Sequence, residues 1–433
     1  MIRLRFILVL IASMSMTFGN AQEDDDIIKL HYENLKNLYK KRGAPPDWAP
    51  SGIVDDNYLH WSIAHYKSST AILIYTFEND TLKVDLFNQK KERKSVTSAI
   101  SRNDLSEAVD RVNRLFSTSF MDNGPSMRGS KATSNSVSVQ DQRLAYNMLN
   151  DLLLPDAFQL GDYNHLIIVP VLNISTLPFA AMKIGDRYLI DSMSYSIAPS
   201  LFELMVSNKV NTDDYRYKKK KYDWQNALFV SNPKFPNDTI WHFPALPGTD
   251  KEVDLITKSL ADSTFTRLSG AEATKETVLK KFCEYDLLYF ATHGISNSEN
   301  PMDHSFLVLS ETENASGYLT FNEIMHTRKE CMLNADLVVL SACQTGLGMS
   351  HEGGIIGLAR SFQIAGANHV LMSLWNINDQ ETANLMSGFF GELFNSKEFM
   401  PHEALRKAIL NYKNEVNADP KYWAAFSIFG VPY

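Results

Sequence analysis

Short apolar runs alternate with amphipathic stretches along most of the chain. Ser69 to Phe77 and Thr81 to Phe87 read as a hairpin around Glu78-Asn-Asp80. Helical periodicity follows over Asn103 to Leu115 and Gln142 to Leu153, and His165 to Val171 is a buried strand. Tyr188 to Ala198 reads as strand pieces. Further on come strands at Ala227 to Ser231, Asp286 to Ala291, Ser305 to Leu309, Asp336 to Ser341 and His369 to Trp375, with Trp423 to Ile428 as a final one. Between them lie helices at Gly248 to Leu260, Glu276 to Phe282, Thr320 to Met325, Gly353 to Ala365, Asp379 to Phe394 and Pro401 to Val416. This alternation implies βαβ units and a mostly parallel sheet with helices on both faces. In such sheets, sites form beyond the carboxyl ends of the strands.

Two apolar runs end in reactive side chains. Leu337-Val-Val-Leu340 continues as Ser-Ala-Cys-Gln-Thr-Gly346, and Leu287-Leu-Tyr-Phe-Ala291 continues as Thr-His-Gly294. Cys343 and His293 thus each follow a buried strand and stand close to a glycine. A thiol attacks only as a thiolate, and a neighbouring imidazole lowers its pKa or takes its proton. Adjacent strand ends about 5 Å apart supply that proximity. Gly294 and the backbone N–H of Cys343 are candidates for an oxyanion hole. A helix starting near Gly353 would add a positive dipole end if aimed at the site. His304, His326, His351 and His369 are rival bases without the strand-end setting. Glu352 and Asp379 either line a substrate pocket, favouring a basic side chain, or cap helices.

Domain limits follow from composition. Arg3 and Arg5, the apolar run Phe6 to Phe18 and the small residues Gly19-Asn-Ala21 form a secretory signal pattern over residues 1–21. The run is too short to span a bilayer, so no stable membrane insertion is expected after cleavage. Residues 22–56 hold a helix, Ile27 to Lys41, broken by Gly43-Ala-Pro-Pro46; no repeat period is visible. The polar run Asn211 to Asp223 divides an α/β part, 57–221, from a second one, 222–433. Asn123 to Gln140, rich in Ser, Gly and Asn, is a loop.

The formal charge of −8 disfavours a nucleic-acid partner, and Lys218 to Lys221 read as a solvated run. Three cysteines are too few for a disulfide scaffold, and their odd number leaves at least one thiol free. Cys283 reads as a small buried hydrophobe and Cys331 as an exposed residue of a polar stretch. No spacing suggests a metal, and no cofactor is expected.

The wider text is more specific. Ala291-Thr-His-Gly294, Leu340-Ser-Ala-Cys-Gln-Thr-Gly346, Glu352-Gly-Gly-Ile-Ile-Gly-Leu-Ala-Arg-Ser-Phe362, Ala365-Gly-Ala367, Ser373-Leu-Trp375 with Asp379, and Tyr422-Trp-Ala-Ala-Phe426 resemble the CHAT domain family. The likeness extends through Ala245-Leu-Pro-Gly248, Leu177-Pro-Phe-Ala-Ala181 and Ala198-Pro-Ser200. These are caspase- and separase-like, mostly bacterial peptidases. The caspase signature itself is met in part, with Thr345 inserted before the glycine. The resemblance implies a caspase-like three-layer α/β sandwich in 222–433, preceded by a related non-catalytic α/β subdomain. It further implies a cysteine endopeptidase in which Cys343 forms a thioester and His293 is the general base. With the signal pattern, this means an exported enzyme, periplasmic or extracellular, acting on a protein or peptide. Such peptidases are often held inactive until processed or bound. An activating or inhibitory protein partner is therefore expected, and Asn123 to Gln140 is a candidate processing site. The family's usual helical repeats are missing before the domain. The alternative is a caspase-like scaffold with little turnover. An α/β-hydrolase elbow is disfavoured, since Ser341 stands where a glycine is needed.

Overall fold

The computed structural model describes Ser15–Thr17 and residues 63–431 except 65, 67, 118–125, 128–137, 202–203, 205–225, 259, 261–263, 296, 298–300, 342–348, 352–353, 376, 378 and 397–399. The expected helix at Ile27 to Lys41, the Asn211 to Asp223 boundary, Cys343 and Glu352 lie outside the described residues, as does Asn123 to Gln140 except for 126–127 and 138–140.

The strands along the chain are β1 (Ser15–Thr17), β2 (Thr70–Glu78), β3 (Thr81–Asn88), β4 (Arg93–Ala99), β5 (Ser126–Met127), β6 (His165–Val169), β7 (Ser194–Ile197), β8 (Asn226–Pro233), β9 (Trp241–His242) and β10 (Thr264–Gly270). They continue as β11 (Leu287–Ala291), β12 (Gly294–Ile295), β13 (Phe306–Val308), β14 (Tyr318–Thr320), β15 (Leu337–Leu340), β16 (Met349–His351), β17 (Gly354–Ile356), β18 (His369–Ser373) and β19 (Phe426–Phe429). The helices that matter are α1 (Arg102–Ser117), α2 (Val139–Leu153), α3 (Gly248–Thr257), α4 (Lys275–Lys281), α5 (Phe321–His326), α6 (Leu358–Ala365), α7 (Asp379–Asn395) and α8 (Pro401–Glu415).

Twelve strands form one sheet in the order β1-β4-β3-β2-β6-β7-β19-β18-β15-β11-β8-β10. From β18 to β10 every pairing is parallel, and so are β2–β6 and β6–β7. The two parallel groups meet at β19, which runs parallel to β7 and antiparallel to β18. The expected mostly parallel α/β architecture is therefore present. The two parts share one sheet and one continuous apolar core.

Strand composition follows burial. Leu287–Ala291 and Leu337–Leu340 are buried throughout, as two-sided coverage requires. In β2, Leu73 and Tyr75 face the large core while Ile72 and Ile74 face a smaller one. Helix α8 straps the two parts together. Its Arg406 donates to the carbonyls of Ile190 and Asp191 at 2.9 Å each, Lys413 pairs with the Asp191 carboxylate at 2.5 Å, and Glu403 accepts from Ser194 Oγ at 2.6 Å.

Three features differ from the expectations above. Strands β4 and β10 were not expected, because Arg93-Lys-Ser-Val-Thr-Ser-Ala and Thr-Phe-Thr-Arg-Leu-Ser-Gly270 are polar, and β10 is the sheet's edge. The helix expected from Gly353 begins at Leu358. Met349–His351 and Gly354–Ile356 instead pair as the antiparallel strands β16 and β17, ahead of that helix. Within the expected signal segment, Ser15–Thr17 pair antiparallel with Ser95–Thr97 at the other edge.

Candidate active site

Strands β11 and β15 lie side by side with a constant offset of 50 residues, from Leu287↔Leu337 to Phe290↔Leu340. Continuous apolar sequence holds them at the centre of the second parallel group. Beyond β11 come Thr292 and His293. Thr292 Oγ1 donates to the Val308 carbonyl, and Val308 N–H donates to the His293 carbonyl at 2.8 Å. This small three-stranded sheet, β12-β13-β14, fixes the backbone that presents the histidine. Hydrogen-bonded and non-hydrogen-bonded pairs alternate in an antiparallel ladder. Gly294, opposite Leu307, falls at a non-hydrogen-bonded position, so its N–H points away from β13.

The His293 side chain is 0% exposed. Its Nε2 lies 2.7 Å from the Pro244 carbonyl. A carbonyl oxygen can only accept, so Nε2 carries the proton and Nδ1 holds the lone pair. Nδ1 is buried and has no hydrogen-bond partner among the described residues. Burial pushes the imidazole pKa down to about 4, helped by His242 and opposed by the Pro244 carbonyl. The ring is neutral at pH 7, with a defined tautomer and an unspent base nitrogen.

Beneath the strand ends lies a buried polar anchor that sequence reasoning missed. Glu252 of α3 accepts from Ser341 Oγ at 2.7 Å and from the Tyr289 hydroxyl. Burial and the Glu252 charge raise the Tyr289 pKa well above its ordinary value, so the phenol stays protonated as donor. The bond pins Ser341, two residues before Cys343, to α3. Glu252 stands beside Val253 on the buried face of an otherwise ordinary amphipathic helix, which conceals it in the sequence. Pro244 had a signal, the adjacent Ala245-Leu-Pro-Gly248.

Of the other singled-out residues, Asp379 is the first residue of α7. His369 is excluded as a base: Nδ1 and Nε2 face the Asp336 and Val431 carbonyls at 3.3 and 2.9 Å. Among the described residues no group of three or more His, Cys, Asp or Glu is placed to hold a metal ion, and no helix is long and apolar enough to cross a membrane.

The cysteine reading needs one correction. Cys283 is not a lone buried hydrophobe; it forms a disulfide with Cys331, Cα–Cα 6.3 Å. The bridge joins the turn ahead of β11 to the segment ahead of β15. Of the chain's three cysteines, that leaves Cys343. Closing a loop with a sequence separation of 48 stabilises the fold by about 4 kcal/mol on the chain-entropy model. Cys283→Ser with Cys331→Ser is therefore expected to lower the urea unfolding free energy by a large part of that amount, and dithiothreitol should reproduce the loss in the unsubstituted protein.

The fold and this strand-end geometry define a caspase-like α/β protein with a histidine set at the edge of its central strands. Residues 142–431 match the CHAT domain model, and the chain belongs to that family. Tetratricopeptide repeat protein 28 of Homo sapiens is 24% identical over 313 residues, 64% of this chain and 12% of that protein. Its Mus musculus counterpart is 22% identical over 399 residues, 81% of this chain and 16% of the other. The chain thus spans a small fraction of the length of these relatives. Among solved structures, the Saccharomyces cerevisiae separase–securin complex is similar with TM-score 0.55 at 12% identity, covering 86% of this chain and 30% of the matched one. That likeness concerns the fold. Gingipain R, an Arg-specific cysteine proteinase, gives TM-score 0.41 at 9% identity, over 76% of this chain and 74% of the other.

Proposed function

We propose that the protein is an exported cysteine endopeptidase with Cys343 as nucleophile and His293 as general base. The observation that carries this reading is the register. His293 and Cys343 differ by the same 50 positions that separate every paired residue of β11 and β15. Each follows the last register pair, Phe290↔Leu340, by three residues. The neutral imidazole, whose Nδ1 has no partner among the described residues, supports the role of base.

In this mechanism Nδ1 takes the Cys343 thiol proton as sulfur attacks the scissile carbonyl carbon. The Gly294 N–H stabilises the resulting oxyanion, together with the backbone N–H of Cys343. The imidazolium returns its proton to the leaving amine as the C–N bond breaks, giving a thioester. Water, deprotonated by the same nitrogen, then releases the acid and regenerates the thiol. Glu352 and Asp379 are the acidic candidates for contacting a basic substrate side chain.

Export is supported by the signal pattern at residues 1–21 and by the Cys283–Cys331 bridge, since disulfides persist in oxidising compartments. The matched separase structure is a complex with securin, which supports a protein partner for this chain. A positional-scanning peptide library, incubated with the purified protein and with Cys343→Ala, tests the activity. Cleavage by the former alone is expected. Equal product from both removes Cys343 as the nucleophile; none from either favours the scaffold reading, which fits the repeat-based name of the curated relatives.

A further inference from the structure

His293 stands against an aromatic surface that the mechanism above does not use. The Phe235 ring lies 4.6 Å from the imidazole and the Phe243 ring 5.7 Å. Trp241 stacks on Phe243 at 6.4 Å and 24°, and Tyr318 adds an edge at 6.2 Å. These rings belong to a satellite cluster separate from the main core. Phe235, Trp241 and Tyr318 remain half-buried, and neighbouring Ile240 is 57% exposed.

The shelf is held in place. Asp238 Oδ1 accepts from the N–H groups of Ile240 and Trp241 at 2.6 and 2.8 Å, while its other oxygen accepts from the Tyr318 hydroxyl. One carboxylate thus ties the loop to β14. Apolar surface fixed in this way and left open to solvent beside a reactive group is what a side-chain subsite requires.

We propose that this shelf is the subsite for the residue that follows the scissile bond, and that it selects a large apolar side chain there. The proposal rests on the peptidase reading and adds its substrate class. A base that receives the nucleophile's proton delivers it to the leaving amine, so it must stand on the leaving-group side of the bond. Rings packed on that imidazole therefore meet the first residue of the leaving peptide.

The backbone agrees. Strand β9, Trp241–His242, pairs antiparallel with Ser126–Met127, and Met127 stands opposite Trp241 in register. Strand β9 therefore already takes an extended segment along its edge. A substrate strand several residues long competes for the same edge by strand addition.

The test varies the leaving-side residue in the peptide library. Filling an apolar pocket changes kcat/KM by about 10- to 200-fold. Phe, Leu or Met at that position should be preferred over Gly by at least about tenfold. Trp241→Ala should collapse that ratio, and Trp241→Phe should restore most of it, provided both keep the circular dichroism spectrum of the parent. A flat profile in the parent protein overturns the proposal. So does a profile unchanged by Trp241→Ala, which would mean that the shelf serves only to seat Ser126–Met127. A second arm separates the two readings. The same library is immobilised and probed for binding with full-length Cys343→Ala. Apolar enrichment that disappears on adding Trp241→Ala supports the shelf even if the protein cuts nothing, and binding without enrichment overturns it.

Discussion

Replacing His293 with alanine is expected to lower kcat/KM for the best library peptide by roughly 10²- to 10⁴-fold, the usual contribution of a positioned base. The argument is stereochemical. Pro244 holds the proton on Nε2, so the lone pair is confined to Nδ1, and burial keeps that nitrogen neutral down to about pH 4. His293→Gln separates chemistry from packing. The amide side chain can still donate to the Pro244 carbonyl but cannot act as a base. It should unfold at a temperature nearer the parent's than His293→Ala does, and be as inactive. An active Gln variant would sink the assignment. While the protein stays folded, kcat/KM should show no acid limb near pH 6.5, because burial keeps the free imidazole a base well below that pH.

Acidification is expected to unfold the protein before about pH 4 is reached. Among the described residues four histidines are buried without charge. Burial lowers the pKa of His165 to about 3 and those of His293 and His369 to about 4, and drives that of His402 well below its ordinary value. His165 and His402 pack ring to ring at 4.3 Å, and Nδ1 of His402 has no partner among the described residues. The unfolded chain protonates each near 6.5 while the folded one does not. Between those limits U binds more protons than N, so stability is complete above about pH 6.5 and falls as pH falls. Each histidine contributes a slope of up to about 1.4 kcal/mol per pH unit. Four together exhaust a typical stability of about 5–15 kcal/mol within a few units. Urea midpoints measured from pH 7 to pH 5 should drop steadily, and His402→Phe should flatten the curve. A pH-independent midpoint over that range would contradict it.

The central sheet of this chain is assembled from two parallel groups that meet at β19. The strap made by α8 shows how little sequence that union takes. Arg406, Lys413, Glu403 and His402 all reach the first group from one helix of the second. Cutting the chain near residue 222 would therefore expose buried polar groups as well as apolar surface.

The amino-acid sequence by itself determined the apolar runs at 287–291 and 337–340, the helices around them and the two reactive side chains 50 residues apart. Those features are local: a strand buried on both faces must be apolar along its whole length, and the pattern is visible without knowing its neighbours. Polar strands β4 and β10 lack that pattern, because β10 is the sheet's edge and β4 is flanked on its outer side only by the three residues of β1. Only the tertiary structure decided the rest. It joined both parts in one sheet, brought Cys283 to Cys331, put Glu252 under Ser341 and turned the Pro244 carbonyl and the aromatic shelf toward His293. Each of these is a contact between distant segments, set by where helices and loops pack on the finished sheet. The tautomer of His293 depends on one such contact.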